Sequence, residues 1–354
     1  FHNLCQAMGK TTKKALIYSP YLDFLGGGER YCLTVAESLL AFGWQVDILW
    51  PKDKQVREIA KKLNLSIDRA GFVSQKRSRG YDLTFWLSDG SIPFLFAKRN
   101  LLHIQRPFIG VGGRSFLNQI KLKKIDSVIV NSRFTKRFTD VEYGVDSVIL
   151  YPPVDLDQFK PGKKENIILA VGRFEESFKA KAQDVLLDAF CQMVDAGLSG
   201  WRLVLIGGSL SEPSQNQFLG QLKKQASDYP VEFLVNASFS DLKDYYARAK
   251  IFWHGAGYWA DEKKEPWAVE HFGMTPVEAM SAGCVPVVID KGGLKEIVRR
   301  GVGERWQTVS ELKEKTLKLI NDSDLWRSYQ KESLAVCQKF SKKVFSDNLK
   351  ELID

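Results

Sequence analysis

One stretch of the sequence, residues 265–298, reads in turn as a loop, a helix, a buried strand, a glycine loop and a second helix. Thr275 is a good N-cap and Pro276 is favoured at the first helical position, so we predict a helix from Pro276 to Ala282. The apolar run at 284–290 is typical of a strand that is buried on both faces. This order of elements indicates an α/β domain.

Two carboxylates, Glu270 and Glu278, stand on either side of the segment HFGMTPV within this stretch. Glu278 falls at the third position of the predicted helix, where a capping box with Thr275 explains it. The alternative is that Glu278 accepts hydrogen bonds from the hydroxyl groups of a sugar. The capping box does not explain Glu270, which lies before the helix. Because N–H groups at a helix N-terminus bind phosphate, Glu270 would face whatever group the phosphate carries.

The first half of the chain repeats a strand–helix pattern. A strand at 15–20 precedes Gly26, Gly27 and Gly28, a helix is predicted over 29–42, and a strand follows at 44–50. The dinucleotide fingerprint G-x-G-x-x-G is missing, so the glycines do not indicate that cofactor. Further strands are predicted at 82–87, 100–105, 126–130 and 147–150. This alternation predicts a doubly wound parallel sheet, with ligands at the carboxyl ends of its strands.

Two domains are predicted, because 354 residues exceed an ordinary single domain and residues 151–159 form a proline-rich linker. The predicted boundaries are 1–152 and 153–339. Asp155 and Asp157 in the linker match the D-x-D string that elsewhere holds a divalent metal. We interpret them as part of the linker, because no other carboxylate cluster accompanies them, and we expect neither a metal nor another cofactor.

The excess of positive charge lies entirely in the first half. Residues 1–152 contain 23 Lys and Arg against 13 Asp and Glu, whereas residues 153–354 contain 28 against 29. An acidic partner is therefore expected for the first half: a membrane surface, a phosphorylated acceptor or, less favoured because no recognised motif is present, a nucleic acid. Residues 108–124 combine apolar and basic side chains and fit either a peripheral contact with an anionic membrane or an ordinary solvated helix.

The expected compartment is the cytoplasm, and a peripheral position on the inner face of the membrane is compatible with it. The five cysteines are scattered and form no C-x-x-C pair, which is typical of reduced thiols. No run of apolar residues is long enough for a transmembrane helix, and no secretory signal pattern opens the sequence.

The Glu-x7-Glu pattern, filled as E-HFGMTPV-E and followed by AMSAGCVPVV and GG-x-x-EIV, resembles glycosyltransferase family 4. The resemblance implies the GT-B architecture, with two Rossmann-like domains facing across a cleft and a terminal helix at 340–354 packing back on the first domain. It also implies a retaining, metal-independent transferase of the hexosyltransferase type. The expected donor is a UDP- or GDP-linked sugar, and the expected acceptor is a lipid-linked or cell-surface glycan.

The resemblance assigns roles to individual residues. It implies a catalytic role for Glu270 beside the transferred sugar and a ribose-binding role for Glu278. His103 is the second catalytic candidate, although a histidine at a strand end is also often structural. The donor diphosphate would be held by two cations, Arg173 and Lys181, for which Lys179 is an alternative. The remaining donor and cleft positions are Gly273, Met274 and Thr275 for the diphosphate, and Gly26, Gly27 and Gly28 for the cleft loop.

Three questions stay open at this point. His254, at the end of a predicted strand, either lines the donor pocket or is structural. A non-hydrolysing nucleotide-sugar epimerase shares the fold and the donor class, and it would interconvert the donor sugar without an acceptor. A catalytically silent subunit that binds carbohydrate or nucleotide would show neither transfer nor hydrolysis of the donor.

Overall fold

The structure is a computed structural model, and it describes residues 12–23, 26–75, 78–175, 181–209 and 216–354. The chain divides into two compact units. One comprises the chain up to Asn131 together with Thr135–Pro153 and Ser346–Asp354, and the other comprises Ser132–Phe134 and Val154–Phe345. Each unit contains one parallel β-sheet.

The first unit is built on a seven-stranded sheet with the order β3-β2-β1-β4-β5-β6-β7. Its strands are β1 Lys14–Tyr18, β2 Gln45–Leu49, β3 Gly71–Val73, β4 Leu83–Leu87, β5 Arg99–Ile104, β6 Ser127–Val130 and β7 Val148–Ile149. The helices of this part of the chain are α1 Gly27–Ala41, α2 Asp53–Lys62, α3 Phe116–Leu122 and α4 Arg133–Tyr143.

The second unit is built on a six-stranded sheet with the order β10-β9-β8-β11-β12-β13. Its strands are β8 Glu165–Val171, β9 Arg202–Gly207, β10 Val231–Val235, β11 Ala249–His254, β12 Val285–Ile289 and β13 Glu304–Trp306. The helices are α5 Gln183–Asp195, α6 Gln217–Gln225, α7 Phe239–Arg248, α8 Met274–Ser281, α9 Leu294–Ile297, α10 Val309–Asn321, α11 Ser323–Val336 and α12 Lys342–Ile353.

Continuous apolar runs explain why the central strands lie inside each unit. Leu16 in β1 and Phe85 in β4 have no exposed surface, and the same holds for Ile167 and Leu169 in β8. A parallel sheet covered by helices on both faces requires such runs, because neither face of its strands meets water. The prediction of two α/β domains with parallel sheets is therefore confirmed.

Both sheets reverse their strand order next to the first strand of the unit. In the second sheet the reversal lies between β8 and β11, which pair directly. Loops that leave neighbouring strands in opposite directions open a crevice at such a switch point, and ligands of α/β proteins bind there. The loops after β8 and β11 are therefore the first place to look for a site in this unit.

Two further findings concern the chain as a whole. Among the described residues, no helix combines the length and the apolar character needed to cross a bilayer. Helix α12 contributes its residues from Ser346 onward to the first unit, where the Lys350 ammonium lies 5.9 Å from the centre of the Phe42 ring.

Candidate functional site

Three charged or polar side chains meet at the switch point of the second sheet. The Lys181 Nζ atom lies 2.6 Å from Glu270 Oε2, and the His254 Nε2 atom lies 3.2 Å from the same oxygen. Lys181 follows β8, His254 ends β11, and Glu270 belongs to the loop before α8. The structure therefore brings together two predicted site residues and the histidine whose role the sequence left open.

The surroundings keep Glu270 ionised. Burial raises the pKa of its carboxyl group, but the charge of Lys181 and the hydrogen bonds from His254 and Lys181 outweigh that effect and hold the pKa well below its usual range. Burial lowers the pKa of His254, so its imidazole is neutral near pH 7. A neutral imidazole binds a carboxylate through a protonated nitrogen, so His254 donates from Nε2 to Glu270.

One oxygen of Glu270 is left for a substrate. The contacts from Lys181 and His254 both fall on Oε2, and within the described ranges Oε1 has no hydrogen-bond partner. The Glu270 side chain is 22% exposed, whereas the His254 side chain is 2% exposed. Glu270 can therefore present a fixed negative charge to a bound molecule through Oε1. The buried His254 orients the carboxylate through its contact with Oε2.

The loop that carries Glu270 is held by the two glycines after β12. The N–H group of Gly293 donates to the Glu270 carbonyl oxygen at 2.9 Å. A Cβ atom at Gly292 would overlap that carbonyl, and one at Gly293 would overlap the carbonyl of His271. Gly292 also has a φ of +59°, a conformation that favours glycine. Only glycine at both positions lets the backbone approach the Glu270 loop this closely.

Helix α8 begins two residues earlier than the sequence predicted, at Met274, and Gly273 is its N-cap with a φ of +109°. Thr275 as the N-cap is therefore wrong, and Pro276 occupies the third helical position. The physical reason is that Gly273 can take the left-handed conformation that turns the chain into the helix. At the N-terminus, Gly273, Met274 and Thr275 have N–H groups without an intrahelical partner, whereas Pro276 has no N–H group.

The new start of α8 also removes the capping box. Glu278 is the fifth residue of the helix and too far along it to reach the N-cap. Its side chain is buried, and its Oε2 atom accepts a hydrogen bond from the Tyr246 hydroxyl at 3.2 Å. The sequence did not indicate that Tyr246 contacts Glu278, because 32 residues separate the two in the chain.

The N-terminus of α8 lies beside Glu270. A Cβ atom at Gly273 would be 3.5 Å from Glu270 Cγ. The backbone N–H groups that begin the helix and the Glu270–Lys181 pair therefore belong to one site. The positive end of the helix dipole and the Lys181 ammonium both favour an anion at this point.

Gly172 precedes Arg173 in the chain and lies against the Lys181 side chain. A Cβ atom at Gly172 would be 2.6 Å from Lys181 Cγ, so the Lys181 side chain passes directly over this glycine. Arg173 is 65% exposed and lies 3.6 Å from a Glu175 oxygen, a distance at which an ion pair is weak. Arg173 can therefore turn towards an anion. Lys179, the alternative cation, lies outside the described residues.

Gln183 fixes the backbone that carries these cations, and the sequence analysis missed it. Its Nε2 atom donates to the carbonyl oxygens of Gly172 and Arg173 at 3.1 and 2.9 Å. The preceding residue, Ala182, is buried in the left-handed conformation with a φ of +51°, which is uncommon for a residue other than glycine. Neither feature has a sequence signature.

His103 does not reach any accessible surface. The side chain is fully buried in the first unit, stacked on Tyr31 with ring centres 4.1 Å apart and near Phe85 at 5.7 Å. Burial lowers its pKa to about 3, so the imidazole is neutral at any ordinary pH. The geometry contradicts the predicted catalytic role, because a group enclosed by aromatic rings cannot touch a substrate.

The three glycines of the first β-α turn are mostly helical. Gly26 is the N-cap of α1, and Gly27 and Gly28 form its first turn, so the helix starts two residues before the predicted Glu29. A Cβ atom at Gly28 would lie 3.0 Å from the Gln105 amide oxygen. Close packing of α1 against the loop after β5 therefore explains Gly28, and the predicted cleft loop is shorter than expected.

Asp157, one of the two linker aspartates, forms an ion pair with a neighbouring residue of the chain. Asp157 belongs to a 3-10 turn at Leu156–Gln158 and pairs with Lys160 at 2.9 Å. Its carboxylate is 91% exposed. This is the arrangement of a solvated surface pair, and it agrees with the interpretation of the segment as a linker.

Taken together, the site offers a fixed carboxylate, two cations and a row of backbone N–H groups. The cations and the helix start can hold a diphosphate, because charge-assisted hydrogen bonds are strongest in a partly dehydrated site. The carboxylate then faces the group attached to that diphosphate. Positive charge that develops there would be stabilised by Glu270.

Comparisons with known proteins identify the family and the fold. The family model described as Glycosyl transferases group 1 matches residues 154–336, just over half of the chain. The chain is 29% identical over 186 residues to the GDP-Man:Man(3)GlcNAc(2)-PP-Dol alpha-1,2-mannosyltransferase of Xenopus laevis, covering 48% of this chain and 35% of that one. It is 27% identical over 246 residues to the protein of that name from Dictyostelium discoideum, covering 64% and 46%.

The chain spans less than half of the length of these two relatives. A crystal structure of Anabaena HepE in complex with UDP and glucose aligns with a TM-score of 0.71 at 16% identity, covering 97% of this chain and 99% of that one. This likeness shows the fold, the GT-B architecture of two Rossmann-like domains. From the match of the family model, the chain belongs to the glycosyl transferases group 1 family.

Proposed function

We propose that this chain is a retaining glycosyltransferase that moves a hexose from a nucleoside-diphosphate sugar to a glycan acceptor. The observation that carries the proposal is the Lys181–Glu270–His254 cluster beside the N-terminus of α8. A carboxylate that is kept ionised next to an anion site suits a reaction in which a diphosphate leaves and positive charge develops on a sugar.

The donor diphosphate is proposed to bind between the start of α8 and the two cations. Its departure builds negative charge on the phosphate oxygens, and Arg173 and Lys181 stabilise that charge together with the N–H groups of Gly273, Met274 and Thr275. These two cations take the place that a divalent metal has in other transferases. Glu278 is proposed to receive the ribose hydroxyls from its position one turn further along α8.

The transfer itself needs no protein base in this proposal. The bond between the anomeric carbon and the phosphate oxygen breaks, and the bond to the acceptor oxygen forms on the same face of the sugar. The acceptor proton passes to the departing phosphate oxygen. Glu270 stabilises the positive charge at the anomeric carbon through Oε1, and His254 keeps the carboxylate in place through Oε2.

The proposed donor is GDP-mannose, and the proposed acceptor is a lipid-linked glycan. Both curated relatives described above carry names that specify GDP-Man and a PP-Dol-linked acceptor. The UDP complex of HepE supports only the fold, since that protein is 16% identical to this one. A UDP-linked donor is therefore the alternative to be tested.

The first experiment is a thermal-shift titration with GDP, UDP and ADP in the presence of EDTA. A ligand that binds only the native state stabilises it by about 2.7 kcal/mol at a hundredfold excess over its dissociation constant. We expect a selective shift with GDP that is lost in Arg173→Ala. The matched control is Arg327→Ala on α11, because its side chain is 63% exposed against 65% for Arg173.

The second experiment measures transfer from GDP-mannose by Glu270→Gln, a variant that keeps the shape of the side chain but removes its charge. Loss of one electrostatic contact to the transition state lowers kcat by roughly 10² to 10³. Because Glu270 also pairs with Lys181, the GDP shift of the same variant is measured so that a loss of donor binding is separated from a loss of transfer. Full transfer activity in both Glu270→Gln and Arg173→Ala would show that the site is assigned wrongly.

A further inference from the structure

We propose that the first unit docks on an anionic lipid bilayer through one surface around helix α3, here called the docking surface. Its apolar members are Phe94, Ile109, Val111, Phe116, Leu117 and Ile120, which are all exposed. The side chain of Phe116 is 84% exposed, an extreme value for a phenylalanine on a helix. A cluster of this kind on a soluble protein marks an interaction site.

Helix α3 presents its sides in the reverse of the usual order. Asn118 and Gln119 point to the protein, where their amides donate to the carbonyl oxygens of Gly112, Gly113 and Tyr143. The opposite half of the helix carries Phe116, Leu117 and Ile120, since residues three and four apart share a face. No residue of this helix is buried. Apart from Leu122 on the inner side, the helix directs its amide side chains to the protein and its large apolar side chains to solvent, as a helix lying on a bilayer requires.

The loop before α3 is held rigid in the same surface. The Glu142 carboxylate accepts hydrogen bonds from the N–H groups of Gly110, Val111 and Gly113 at 2.9, 3.0 and 3.1 Å. Ile109 and Val111 are therefore exposed on a fixed backbone. The carboxylate of Glu142 is turned towards these three N–H groups of the loop.

Phe94 joins the surface from a neighbouring segment. The Lys121 ammonium lies 5.3 Å from the centre of the Phe94 ring, which links this residue to α3. Leu122, on the inner side of the helix, packs on the buried cluster that contains Ile92 and Phe108. Phe94 and helix α3 are therefore neighbours, and α3 rests on a packed base.

The charge around the patch selects the partner. Residues 90–125 contain seven Lys and Arg and no Asp or Glu. Arg114, Lys121, Lys123 and Lys124 belong to α3 or lie directly beside it, and Lys123 and Lys124 are exposed. Apolar side chains rimmed by cations match a bilayer that has an acyl interior and anionic headgroups. A second copy of the chain fits less well, because a symmetric contact would bring the same cations together.

The test is co-sedimentation of the whole chain with lipid vesicles, which needs no donor or acceptor and so does not depend on the proposed function. Vesicles of phosphatidylcholine alone are compared with vesicles in which phosphatidylglycerol is about a third of the lipid. We expect binding to the anionic vesicles that weakens with salt. Phe116→Ser with Ile120→Ser, and separately Lys123→Glu with Lys124→Glu, should each lower the bound fraction at least about tenfold.

Two matched controls separate the surface from general effects. Lys61→Glu with Lys62→Glu makes the same change of net charge at exposed positions of α2 in the same unit. Phe239→Ser removes an exposed aromatic ring from the other unit. Both should bind vesicles as the wild type does. Circular dichroism checks that all variants are folded, which is expected because surface substitutions cost little stability.

Three results would overturn the proposal. The wild type could fail to sediment with anionic vesicles, or the α3 variants could sediment as well as the wild type. A dimer in solution that becomes a monomer in the Phe116→Ser, Ile120→Ser variant would assign this surface to a second copy of the chain.

Discussion

The burial of His103 predicts a stability that depends on pH. The unfolded chain binds a proton at His103 with the ordinary pKa of 6.5, whereas the folded chain holds that pKa at about 3. Because the folded pKa is lowered, the neutral imidazole contributes stability above pH 6.5, and that stability is lost as the pH falls towards 3. Within this window the free energy of unfolding falls by about 1.4 kcal/mol for each pH unit, so the fall between pH 7 and pH 5 is about 2 kcal/mol.

The perturbation is His103→Leu, which keeps a side chain of similar size but cannot titrate. At pH 7 the variant should be less stable by about 1 kcal/mol, because the stacking of the imidazole on Tyr31 is lost. At pH 5 it should be the more stable protein by about 1 kcal/mol, since protonation of His103 then stabilises the unfolded state of the wild type only. The sign of the difference therefore reverses within the window.

The assay is urea unfolding of both proteins at several pH values between 7 and 5. All other groups titrate in both chains, so the difference in unfolding free energy isolates His103. If unfolding shows two transitions, the one that responds to the substitution belongs to the first unit. A difference that stays constant across this range would refute the buried, neutral state. Transfer activity at pH 7 provides a second check, because a buried structural residue predicts wild-type activity for His103→Leu.

Three further predictions concern single substitutions. Gly293→Ala places a methyl group on the His271 carbonyl, so we expect a stability loss of about 1 to 3 kcal/mol and a lower kcat/KM for the donor; unchanged kinetics would contradict the fixed loop. Gly220→Ala, on α6 with open space around it, should instead raise the unfolding free energy by about 0.5 to 1 kcal/mol. Tyr246→Phe removes a donor from buried Glu278 and should cost about 1 to 3 kcal/mol in urea unfolding, whereas no change would show that the bond is weak.

The parallel sheets were largely predictable from the sequence. The predicted strands at 166–171 and 231–235 correspond to β8 and β10, and the second matches to the residue. Strand β8 lies inside the sheet and is largely buried, so its hydrophobic run is continuous, whereas β10 is a half-buried edge strand that contains Glu232. Predicted strands at 147–150 and 126–130 were longer than the observed β7 and β6, because strand ends depend on the neighbouring strand and not on the run itself.

The start of α8 could not be predicted from local rules. Thr275-Pro276 has the residues of a good helix start, and the prediction followed them. In the structure Gly273 takes a positive φ where a Cβ atom would meet Leu294, a residue of another helix. The requirement for glycine at the N-cap is therefore set partly by a segment about twenty residues away in the sequence. Local capping preferences are worth about 1 kcal/mol, which packing of this kind readily exceeds.

The candidate site was predicted residue by residue but not as an arrangement. Glu270 and Lys181 were named from a family pattern, and 89 residues separate them in the chain. Their contact follows from the reversal of strand order between β8 and β11, which no local pattern encodes. His103 and His254 both end strands of parallel sheets, yet one is enclosed by aromatic rings and the other meets Glu270. The difference lies in what packs on each imidazole.

The two halves of the chain use charge in different ways. The second half has 28 Lys and Arg against 29 Asp and Glu, so its proposed anion site does not depend on net charge. That site relies on a few partly buried groups at short distance, where attraction is strong and salt screens it little. The docking surface relies on exposed cations around apolar side chains, whose attraction to a bilayer is lost within about a Debye length. Salt should therefore release the first half from a membrane well before it weakens donor binding in the second half, so the two proposed activities can be separated in one protein.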